Sequence, residues 1–440
     1  MFINRTNELN SLNSEYRKKG SSFSVIYSKR RVGKTALIEE FIKDKPHIYF
    51  YATEVNLNLQ LELFSKEITR FFALPKEFKF ESFENAFEYL AKAKIEEKLI
   101  IAIDEFQNLT KVDKTFSSTL QKAWDMFLSK SNIHLILCGS VISMMHSEVL
   151  NYNAPLYGRR TNSIHLKPIK FRYLNEFLPN LDIHTLLKTY SSFGSTPKYL
   201  LLYDPKLSFE ENLKENILDK NSYLYSEGYF LLKQEISETP TYFSILEVIS
   251  KGDTKIGNIA SSLGVNASFL TRYLNKLIEL DILEKEVPVT EKNPLKSKFG
   301  RYRIKDKFLN FWFYYVYKNY SYLEIGEIEA VMQEIELNFI DRFVSFAFEE
   351  VIKEQIIDDP EKFLDFKPMK VGRWWNNKEE IDIVAFDDKN IAFIECKYQE
   401  KVDKKKVLNE LIKKTSYIKH NKKEHFLVVT KEELKKLILK

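Results

Sequence analysis

The sequence predicts an α/β protein whose first half folds around a parallel sheet, followed by a mainly helical region and a second α/β region. In the first half, short β-rich runs alternate with helical patterns, which predicts parallel strands covered by helices on both faces. Around Thr239-Pro240 the pattern changes to three short helices and two strand-like pieces. From about Ile335 a long amphipathic helix opens a third region, in which apolar strands return.

The elements of the first half follow from the order of its apolar runs. Runs rich in β-branched and aromatic residues favour strands, and the predicted strands are residues 23–27, 48–52, 99–103 and 133–138. Apolar residues at helical spacing fall between them, at 59–72 and 83–94. The sequence shows no internal repeat that would indicate a solenoid or propeller.

Length and composition indicate a globular protein. A chain of 440 residues leads us to expect two or three domains. Its hydrophobic share of 44% is enough for several cores, and only 12 Gly and 12 Pro argue against long disordered linkers. The net charge of +5 is too small to indicate a nucleic-acid partner, although basic residues gather at 292–307 and 401–440.

The cysteines and the apolar runs bear on where the protein functions. Cys138 and Cys396 each lie in an apolar, strand-like run, which predicts buried thiols rather than a disulfide or a metal site. The N-terminus has no apolar signal core, and the aromatic run 308–317 is far short of the roughly 20 residues of a membrane span. We therefore expect a soluble, cytoplasmic protein with no membrane partner.

A phosphate-binding loop is predicted at residues 28–35, which read Ser-Lys-Arg-Arg-Val-Gly-Lys-Thr between the first strand and a helix. This is the P-loop pattern with Ser28 in place of its first glycine. Backbone N–H groups of such a loop and the N-terminus of the next helix surround a β-phosphate, and Gly33 permits their close approach. Lys34 is expected to reach the β- and γ-phosphates, and the Thr35 hydroxyl to ligate Mg²⁺. An accidental Gly-Lys-Thr is the alternative, which the strand–loop–helix context disfavours.

A pair of carboxylates completes this predicted site. The buried-strand run 99–103 ends in Asp104-Glu105. A carboxylate at the end of a neighbouring strand suits Mg²⁺, so Asp104 is expected to serve the metal. Glu105 is expected to polarise the water that attacks the γ-phosphate. Ser140, which follows the next apolar strand, is expected either to sense the γ-phosphate or to cap the next helix.

These motifs resemble those of the archaeal-type P-loop ATPases in the AAA+/STAND branch. Residues 30–35 match that family's P-loop and residues 104–107 match its magnesium strand. Residues 2–9 resemble its opening box, which lies beside the adenine. The segment 139–145 resembles its sensor, and 194–200 resembles a Gly-Gly-x-Pro-x-Tyr-Leu segment in which Ser195 is the departure.

The resemblance implies ATP and Mg²⁺ as cofactors. The residues expected to contact the nucleotide are Arg5, Ser28, Lys29, Arg30, Arg31, Val32, Gly33, Lys34, Thr35, Ala36 and Ser140. Residues 155–159 resemble a family segment whose arginine, here Arg159, is a candidate for the γ-phosphate. An arginine beside Arg160 is also typical of a surface salt bridge.

The middle region is predicted to form a winged helix. Its helices are expected at 242–250, 255–263 and 267–280, with strands at 283–289 and 300–304. The third helix is expected to begin after Asn266 and to bury Phe269, Leu270, Tyr273, Leu274, Leu277 and Ile278. Its other face carries Ser268, Thr271, Arg272, Asn275 and Lys276, and the wing carries Lys292, Lys296, Lys298, Arg301 and Arg303. Such groups suit a DNA groove and its phosphates, although a winged helix used only for packing is the alternative.

The third region contains a possible nuclease centre. Asp382 precedes Glu395-Cys396-Lys397 on two predicted strands, which fits the PD-(D/E)XK pattern. Asp382 and Glu395 are expected to meet at one Mg²⁺, which prefers oxygen ligands. On an alternating strand Lys397 shares a face with Glu395, where it is expected to orient or deprotonate the metal-bound water. A cross-strand ion pair in an inactive domain is the alternative.

The family resemblance extends into this third region. Its C-terminal domain resembles restriction-endonuclease-like nucleases, with a Phe-Glu on the preceding helix that corresponds to Phe348-Glu349. Glu349 is therefore a candidate further metal ligand. Trp374 and Trp375 are expected to serve as packing or surface aromatics rather than as platforms for bases.

Three domains are thus predicted: a P-loop ATPase at 1–205, a helical linker with a winged helix at 206–310, and a nuclease-like α/β domain at 311–440. The expected function is ATP binding and hydrolysis coupled to DNA binding or processing, with double-stranded DNA as a candidate partner and a homo-oligomer as a candidate assembly. One alternative is an ATP-dependent regulatory switch whose inactive nuclease-like domain binds a protein partner. Another is a DNA-binding scaffold with negligible turnover, in keeping with Ser28.

Overall fold

The computed structural model describes residues 2–236 and 238–438, and these form two compact units. The first unit runs up to Ile169 and includes Thr196–Lys198. The second contains Lys170–Ser195 and the chain from Tyr199 onward. The outer ends of the predicted first and third domains, Met1 and Lys440, lie outside the described residues, and the boundaries at 205 and 310 stay predictions.

A five-stranded parallel sheet forms the centre of the first unit. Its strands in space run β2-β3-β4-β1-β5. They are β1 (Ser22–Tyr27), β2 (His47–Tyr51), β3 (Leu99–Asp104), β4 (Ile133–Gly139) and β5 (Asn162–His165). The parallel sheet expected from the sequence is confirmed, and its first four strands were predicted to within a residue or two. The fifth, a half-polar edge strand, was missed because four residues show too little alternation to recognise.

Helices cover both faces of this sheet, so two apolar cores form. The helices are Thr6–Arg17, Lys34–Ile42, Leu57–Phe71, Phe83–Lys92, Gln107–Val112, Phe116–Met126 and Ile142–Met145. One core lies between the sheet and the helices Leu57–Phe71, Phe83–Lys92 and Phe116–Met126, and the other beneath Thr6–Arg17 and Lys34–Ile42. Side chains of Asn56 and Ser82 accept hydrogen bonds from backbone N–H groups and begin two of these helices.

Short helices open the second unit and surround a buried aromatic segment. They are Leu174–Phe177, Ile183–Phe193, Phe209–Leu213 and Glu227–Glu235, together with Pro197–Leu200, whose first two residues belong to the first unit. The aromatic run 308–317 forms the helix Lys307–Phe311 and the π-helical turn Trp312–Val316, and their apolar side chains are buried. The Trp312 ring packs against Gly228, where a Cβ atom would lie 2.3 Å from it. A glycine is required there by close approach.

The middle of the second unit contains the predicted helices and strands in the predicted order. The helices are Thr239–Ser250, Ile256–Leu263 and Ala267–Glu279, and β6 (Leu283–Glu286) pairs antiparallel with β7 (Arg301–Ile304). The prediction for the third helix was wrong at two positions: Phe269 is 41% exposed and Ile278 is only partly buried. Asn266 precedes the helix as expected, but its side chain makes no capping bond.

The C-terminal part of the second unit is an α/β arrangement with a mixed sheet. The helices Ile328–Phe339 and Ser345–Asp358 are joined by a π-helical turn, and they precede the strands. The order β11-β10-β9-β8 is made by β8 (Lys370–Trp375), β9 (Glu380–Phe386), β10 (Asn390–Lys397) and β11 (Lys423–Thr430). Only β10 and β11 are parallel. The helices Lys404–Thr415 and Lys431–Ile438 complete this part.

Several other expectations are settled by burial. Cys138 and Cys396 are both free and buried, which confirms the prediction of buried thiols. Trp374 and Trp375 lie in β8 and are buried, so they pack inside the protein. Along the described chain, no helix combines the length and apolar character that a membrane crossing requires.

Candidate functional site

The predicted phosphate loop lies between β1 and the helix Lys34–Ile42. Gly33 begins this helix with φ 98°, a left-handed conformation that side-chain-bearing residues adopt only with strain. The Lys34 side chain is buried and folds back over the loop, where Nζ donates to the carbonyls of Ser28 at 3.2 Å and Lys29 at 3.1 Å. The Lys34 ammonium is therefore held by carbonyl groups of the loop, at the start of the helix Lys34–Ile42.

A hydrogen bond joins this loop to the carboxylate at the end of β3. Thr35 Oγ1 donates to Asp104 Oδ2 at 2.7 Å, and Tyr49 Oη from β2 donates to the same oxygen at 2.9 Å. Asp104 is fully buried. Burial and the neighbouring Asp104 charge raise the pKa of Tyr49, so the phenol stays protonated and remains a donor. Two hydroxyl groups thus position one buried carboxylate beside the loop.

Glu105 is held in a strained position next to Asp104. Its φ of 53° is unusual for a residue with a side chain. Its Oε2 atom accepts hydrogen bonds from Ser140 Oγ at 2.6 Å and from Gln107 Nε2. Gln107 Oε1 in turn accepts from the Ser140 backbone N–H at 3.2 Å. The structure places Ser140, expected either to sense the γ-phosphate or to cap the next helix, in contact with the Glu105 carboxylate; Val141, not Ser140, precedes the helix Ile142–Met145.

Arg5 contacts the phosphate loop from the N-terminal segment. Its guanidinium is 6% exposed, donates to the Val32 carbonyl at 3.0 Å and pairs with Glu8 at 3.4 Å. Burial lowers the pKa of Arg5, against the effect of Glu8. Arg5 thus stabilises the loop by a hydrogen bond to the backbone carbonyl of Val32. Apart from Ser140, the other residues expected to contact the nucleotide lie within the loop or, for Ala36, on the exposed side of the following helix.

Arg159 lies just before β5, on the side of the sheet where the parallel strands begin, whereas the phosphate loop lies where β1 ends. Its guanidinium binds the Asp125 carboxylate at 3.0 and 3.3 Å. The neighbouring Trp124 ring packs on Phe23, near the start of β1, whereas the loop follows the end of β1. This placement does not support a contact between Arg159 and the γ-phosphate in the same chain; it fits the alternative of a surface salt bridge.

Asp382, Glu395 and Lys397 come together on β9 and β10 in the second unit. Lys397 Nζ donates to Glu395 Oε1 at 3.0 Å, and Lys414 from the helix Lys404–Thr415 donates to the same oxygen at 2.9 Å. Asp382 Oδ2 accepts from the Cys396 backbone N–H at 2.8 Å. The other Glu395 oxygen is buried and has no hydrogen-bond partner among the described residues.

The charges of this cluster act on one another. Burial, and then the Glu395 carboxylate, raise the pKa of Asp382 to about 6. Burial alone would lower the pKa of Lys397, but Asp382 and Glu395 outweigh it and raise that pKa. Lys397 therefore stays protonated beside Asp382 and Glu395. The Asp382 carboxyl binds a proton more readily than an exposed aspartate does.

Glu349, the further candidate ligand, is paired with an arginine. Arg373 Nη2 lies 2.6 Å from Glu349 Oε2, and Arg373 Nη1 lies 3.1 Å from Glu380 Oε1. Burial, and then the Asp382 charge, raise the pKa of Glu349 to about 8. Within residues 2–236 and 238–438, no three Asp, Glu, His or Cys side chains are placed to hold a metal ion. A set of two carboxylates, Asp382 and Glu395, is what the geometry offers a cation.

The residues predicted to face DNA divide into two groups. Arg301 binds Glu380 at 2.7 Å and stacks 4.4 Å from the Trp375 ring, and Arg303 pairs with Glu286 at 3.3 Å. These two arginines are thus engaged within the second unit. Exposed side chains remain at Ser268, Thr271, Arg272, Asn275, Lys292, Lys296 and Lys298, whereas Lys276 is partly buried beside Glu279.

Comparison with known families matches two parts of the chain. A family described as "ATPase domain predominantly from Archaea" matches residues 2–202. A second family, described as "Archaea bacterial proteins of unknown function", matches residues 312–408. The first match contains the phosphate loop, Asp104 and Glu105, and the second contains Asp382, Glu395 and Lys397.

Similar proteins extend over almost the whole chain. An uncharacterised protein of Methanocaldococcus jannaschii is 37% identical over 423 residues, which cover 95% of this chain and 92% of that protein. The chain belongs to the archaeal ATPase family. An uncharacterised ATP-binding protein of the same organism is 40% identical over 45 residues, which cover 10% of this chain and 76% of that protein.

The fold of this chain also has a solved counterpart. A Walker-type ATPase of Pyrococcus abyssi matches with a TM-score of 0.50 and 18% identity, covering 71% of this chain and 96% of that one. At that identity the likeness concerns the fold alone. It agrees with the P-loop ATPase α/β fold and parallel sheet described above.

Sequence reasoning missed three residues of the two sites. The available signal for Gln107 was its place in the Asp-Glu-Phe-Gln run, and the structure shows it completely buried beside Glu105. Tyr49 reaches Asp104 because β2 pairs with β3, with Tyr49 opposite Ala102. Lys414 gave no signal of its own, since it is one of many lysines on its helix.

Proposed function

We propose that this protein binds ATP with Mg²⁺ at the phosphate loop, hydrolyses it, and uses the reaction to control DNA binding or processing. The observation that carries the proposal is the 2.7 Å hydrogen bond between Thr35 and Asp104, which joins the two halves of the site. Thr35 and Asp104 offer Mg²⁺ oxygen ligands beside the loop, and Mg²⁺ usually takes few protein ligands because phosphates and water supply the rest. Bound there, the ion would neutralise charge on the phosphates.

The protein groups have separate roles in this reaction. Lys34 exchanges its two loop carbonyls for phosphate oxygens, so its ammonium neutralises charge that builds up as the γ-phosphate leaves. Glu105 orients the attacking water and accepts its proton. Ser140 and Gln107 donate hydrogen bonds to the Glu105 carboxylate, so these bonds control its orientation toward the water.

The test of this proposal is the turnover of ATP by the Lys34→Ala variant. Without the cation we expect the rate to fall by at least about 100-fold, because a charge that stabilises the transition state is lost. Lys43→Ala is the matched control, since Lys43 is exposed at the other end of the same helix, and it should keep the wild-type rate. Equal rates for Lys34→Ala and wild type would show that the loop is not the catalytic site.

A second candidate function, metal-dependent cleavage of DNA, is favoured by the carboxylate cluster of the second unit. Asp382 and Glu395 provide oxygen ligands, and the unpartnered Glu395 Oε2 atom is buried where a cation would satisfy it. Lys397, which contacts Glu395, would orient a water against a phosphodiester. The alternative is a regulatory switch in which this part, inactive as a nuclease, binds a protein partner.

These alternatives separate in a nuclease assay titrated with Mg²⁺, with and without ATP. We expect wild type to cleave DNA and Asp382→Ala to lose cleavage while its ATP turnover is unchanged, since the variant removes one of two metal ligands. Absence of cleavage by wild type across DNA substrates and divalent metals would favour the switch.

A further inference from the structure

A cleft of about 630 Å³ opens beside the carboxylate cluster, along the helix Lys404–Thr415. Lys414 belongs to both features, because it lines the cleft and donates to Glu395 Oε1 at 2.9 Å. A molecule bound in this cleft would contact Lys414, and through that contact it would act on Glu395 and its other partner, Lys397. Lys414 is thus the cleft residue that links the cleft to Glu395.

The cleft wall combines cations, carboxylates and an aromatic ring. Lys413 and Lys414 supply positive charge, and Glu379 and Glu410 oppose it. Because these charges balance, the cleft is not the uniformly basic surface that attracts a long duplex. Tyr417 is 47% exposed at the end of the helix, so part of its ring is available for stacking. The size of the cleft suits a ligand of small-molecule dimensions.

We propose that this cleft binds an unpaired nucleotide of a single-stranded nucleic acid, with the base stacked on Tyr417 and the phosphate at Lys414. The inference rests on the proposed nuclease function and names its substrate class. Single-strand binding sites combine basic groups that follow the backbone with aromatic rings on which bases stack. A duplex keeps its base faces stacked on one another, so it offers none to Tyr417.

Lys414 has a positioning role in this arrangement. In the structure it shares Glu395 Oε1 with Lys397. A phosphate at Lys414 competes for its ammonium, which frees a Glu395 lone pair while Lys397 stays in place. Substrate binding and preparation of the carboxylate are thereby linked through one side chain.

The test is filter binding of radiolabelled oligonucleotides to the full chain in EDTA, where cleavage does not interfere. The probes are an unpaired oligo-dT, an unpaired oligo-U and a duplex of the same length. We expect Tyr417→Ala to weaken single-strand binding by at least about 5-fold, since base stacking on an aromatic ring contributes that much or more. Tyr417→Phe should retain wild-type affinity because its ring still stacks, and duplex binding should be unchanged in both variants.

Lys405→Ala is the matched control for Lys414→Ala. Lys405 is exposed on the same helix, nine residues away and half a turn round the axis, and each variant removes one positive charge. We expect Lys414→Ala to weaken single-strand binding and Lys405→Ala to leave it unchanged.

The proposal is overturned if Tyr417→Ala binds single strands like wild type, or if duplex binding falls equally. A Tyr417→Ala effect that Tyr417→Phe shares would indicate a structural fault and also count against it. The binding assay in EDTA does not depend on a metal ion or on cleavage. Failure of the proposed nuclease function would therefore be seen separately, as wild type that binds single strands but does not cleave them.

Discussion

At the scale of the single residue, Asp382 shows how placement alters chemistry. Its pKa is raised to about 6 by burial and by the Glu395 charge, whereas an unfolded chain ionises aspartate near pH 3.9. As the pH rises, the folded protein therefore releases this proton at a higher pH than the unfolded chain does. Between about pH 4 and 6, rising pH removes stability from the fold, and above pH 6 the full loss remains.

We expect Asp382→Asn to stabilise the metal-free protein at pH 8 by about 3 kcal/mol, because it removes a charge that burial opposes. Below about pH 4 the two proteins should be equally stable, since the carboxyl is neutral in both states of wild type. Denaturant melts in EDTA at pH 3.5 and 8 measure the difference. Asp388→Asn, an exposed change in the turn between β9 and β10, is the control; an equal gain there would remove the explanation by burial.

At the scale of the element, β8 is anchored by Arg373. Its guanidinium reaches Glu349 on the helix Ser345–Asp358 and Glu380 on β9, while its carbonyl accepts from the Val289 N–H at 2.9 Å. These carboxylates raise the pKa of Arg373, so it remains charged although it is buried. One side chain therefore ties a strand to its neighbouring strand and to a helix.

We expect Arg373→Met to destabilise the protein by about 3–5 kcal/mol, because it breaks the pairs with Glu349 and Glu380 and leaves the buried Glu349 carboxyl without its partner. Adding Glu349→Gln should restore part of that loss by removing the carboxyl that has lost its partner. Chemical denaturation of the single and double variants measures both values. For comparison, Lys251→Met breaks only an exposed pair with Glu247, and a cost above about 1 kcal/mol there would mean that burial does not set the difference.

At the scale of the whole molecule, two units with separate apolar cores organise the chain. We expect two unfolding transitions in calorimetry, as is usual for multi-domain proteins. ATP at 100 times its dissociation constant should stabilise the first unit by about 2.7 kcal/mol and raise only its transition. Lys34→Ala should show no such rise, whereas a rise of both transitions by ATP would indicate one cooperative unit.

Sequence patterns predicted the local features of this molecule well and the long-range ones poorly. The phosphate loop and β1 to β4 follow from contiguous residues, so their prediction needs only periodicity and turn chemistry. β8 was missed because Gly372 and a bulge interrupt its alternation.

Long-range contacts account for what the sequence concealed in the two sites. The partners Glu349 and Arg373 are 24 residues apart, and Lys414 lies 19 residues from Glu395. Pairings of this kind depend on packing that no local pattern records. Exposure of Phe269 has the same origin, since helical spacing predicts a face but not whether a neighbouring element covers its edge.

The surroundings of Trp375 have a spectroscopic consequence. Its indole N–H donates to the Phe299 carbonyl at 3.0 Å, and the Arg301 guanidinium stacks on its ring. Both contacts come from the loop and strand that follow β6. Release of that hairpin from β8 would expose the indole to water and shift its emission to longer wavelength. With four tryptophans in the chain, a variant that retains only Trp375 would report hairpin movement by its own emission.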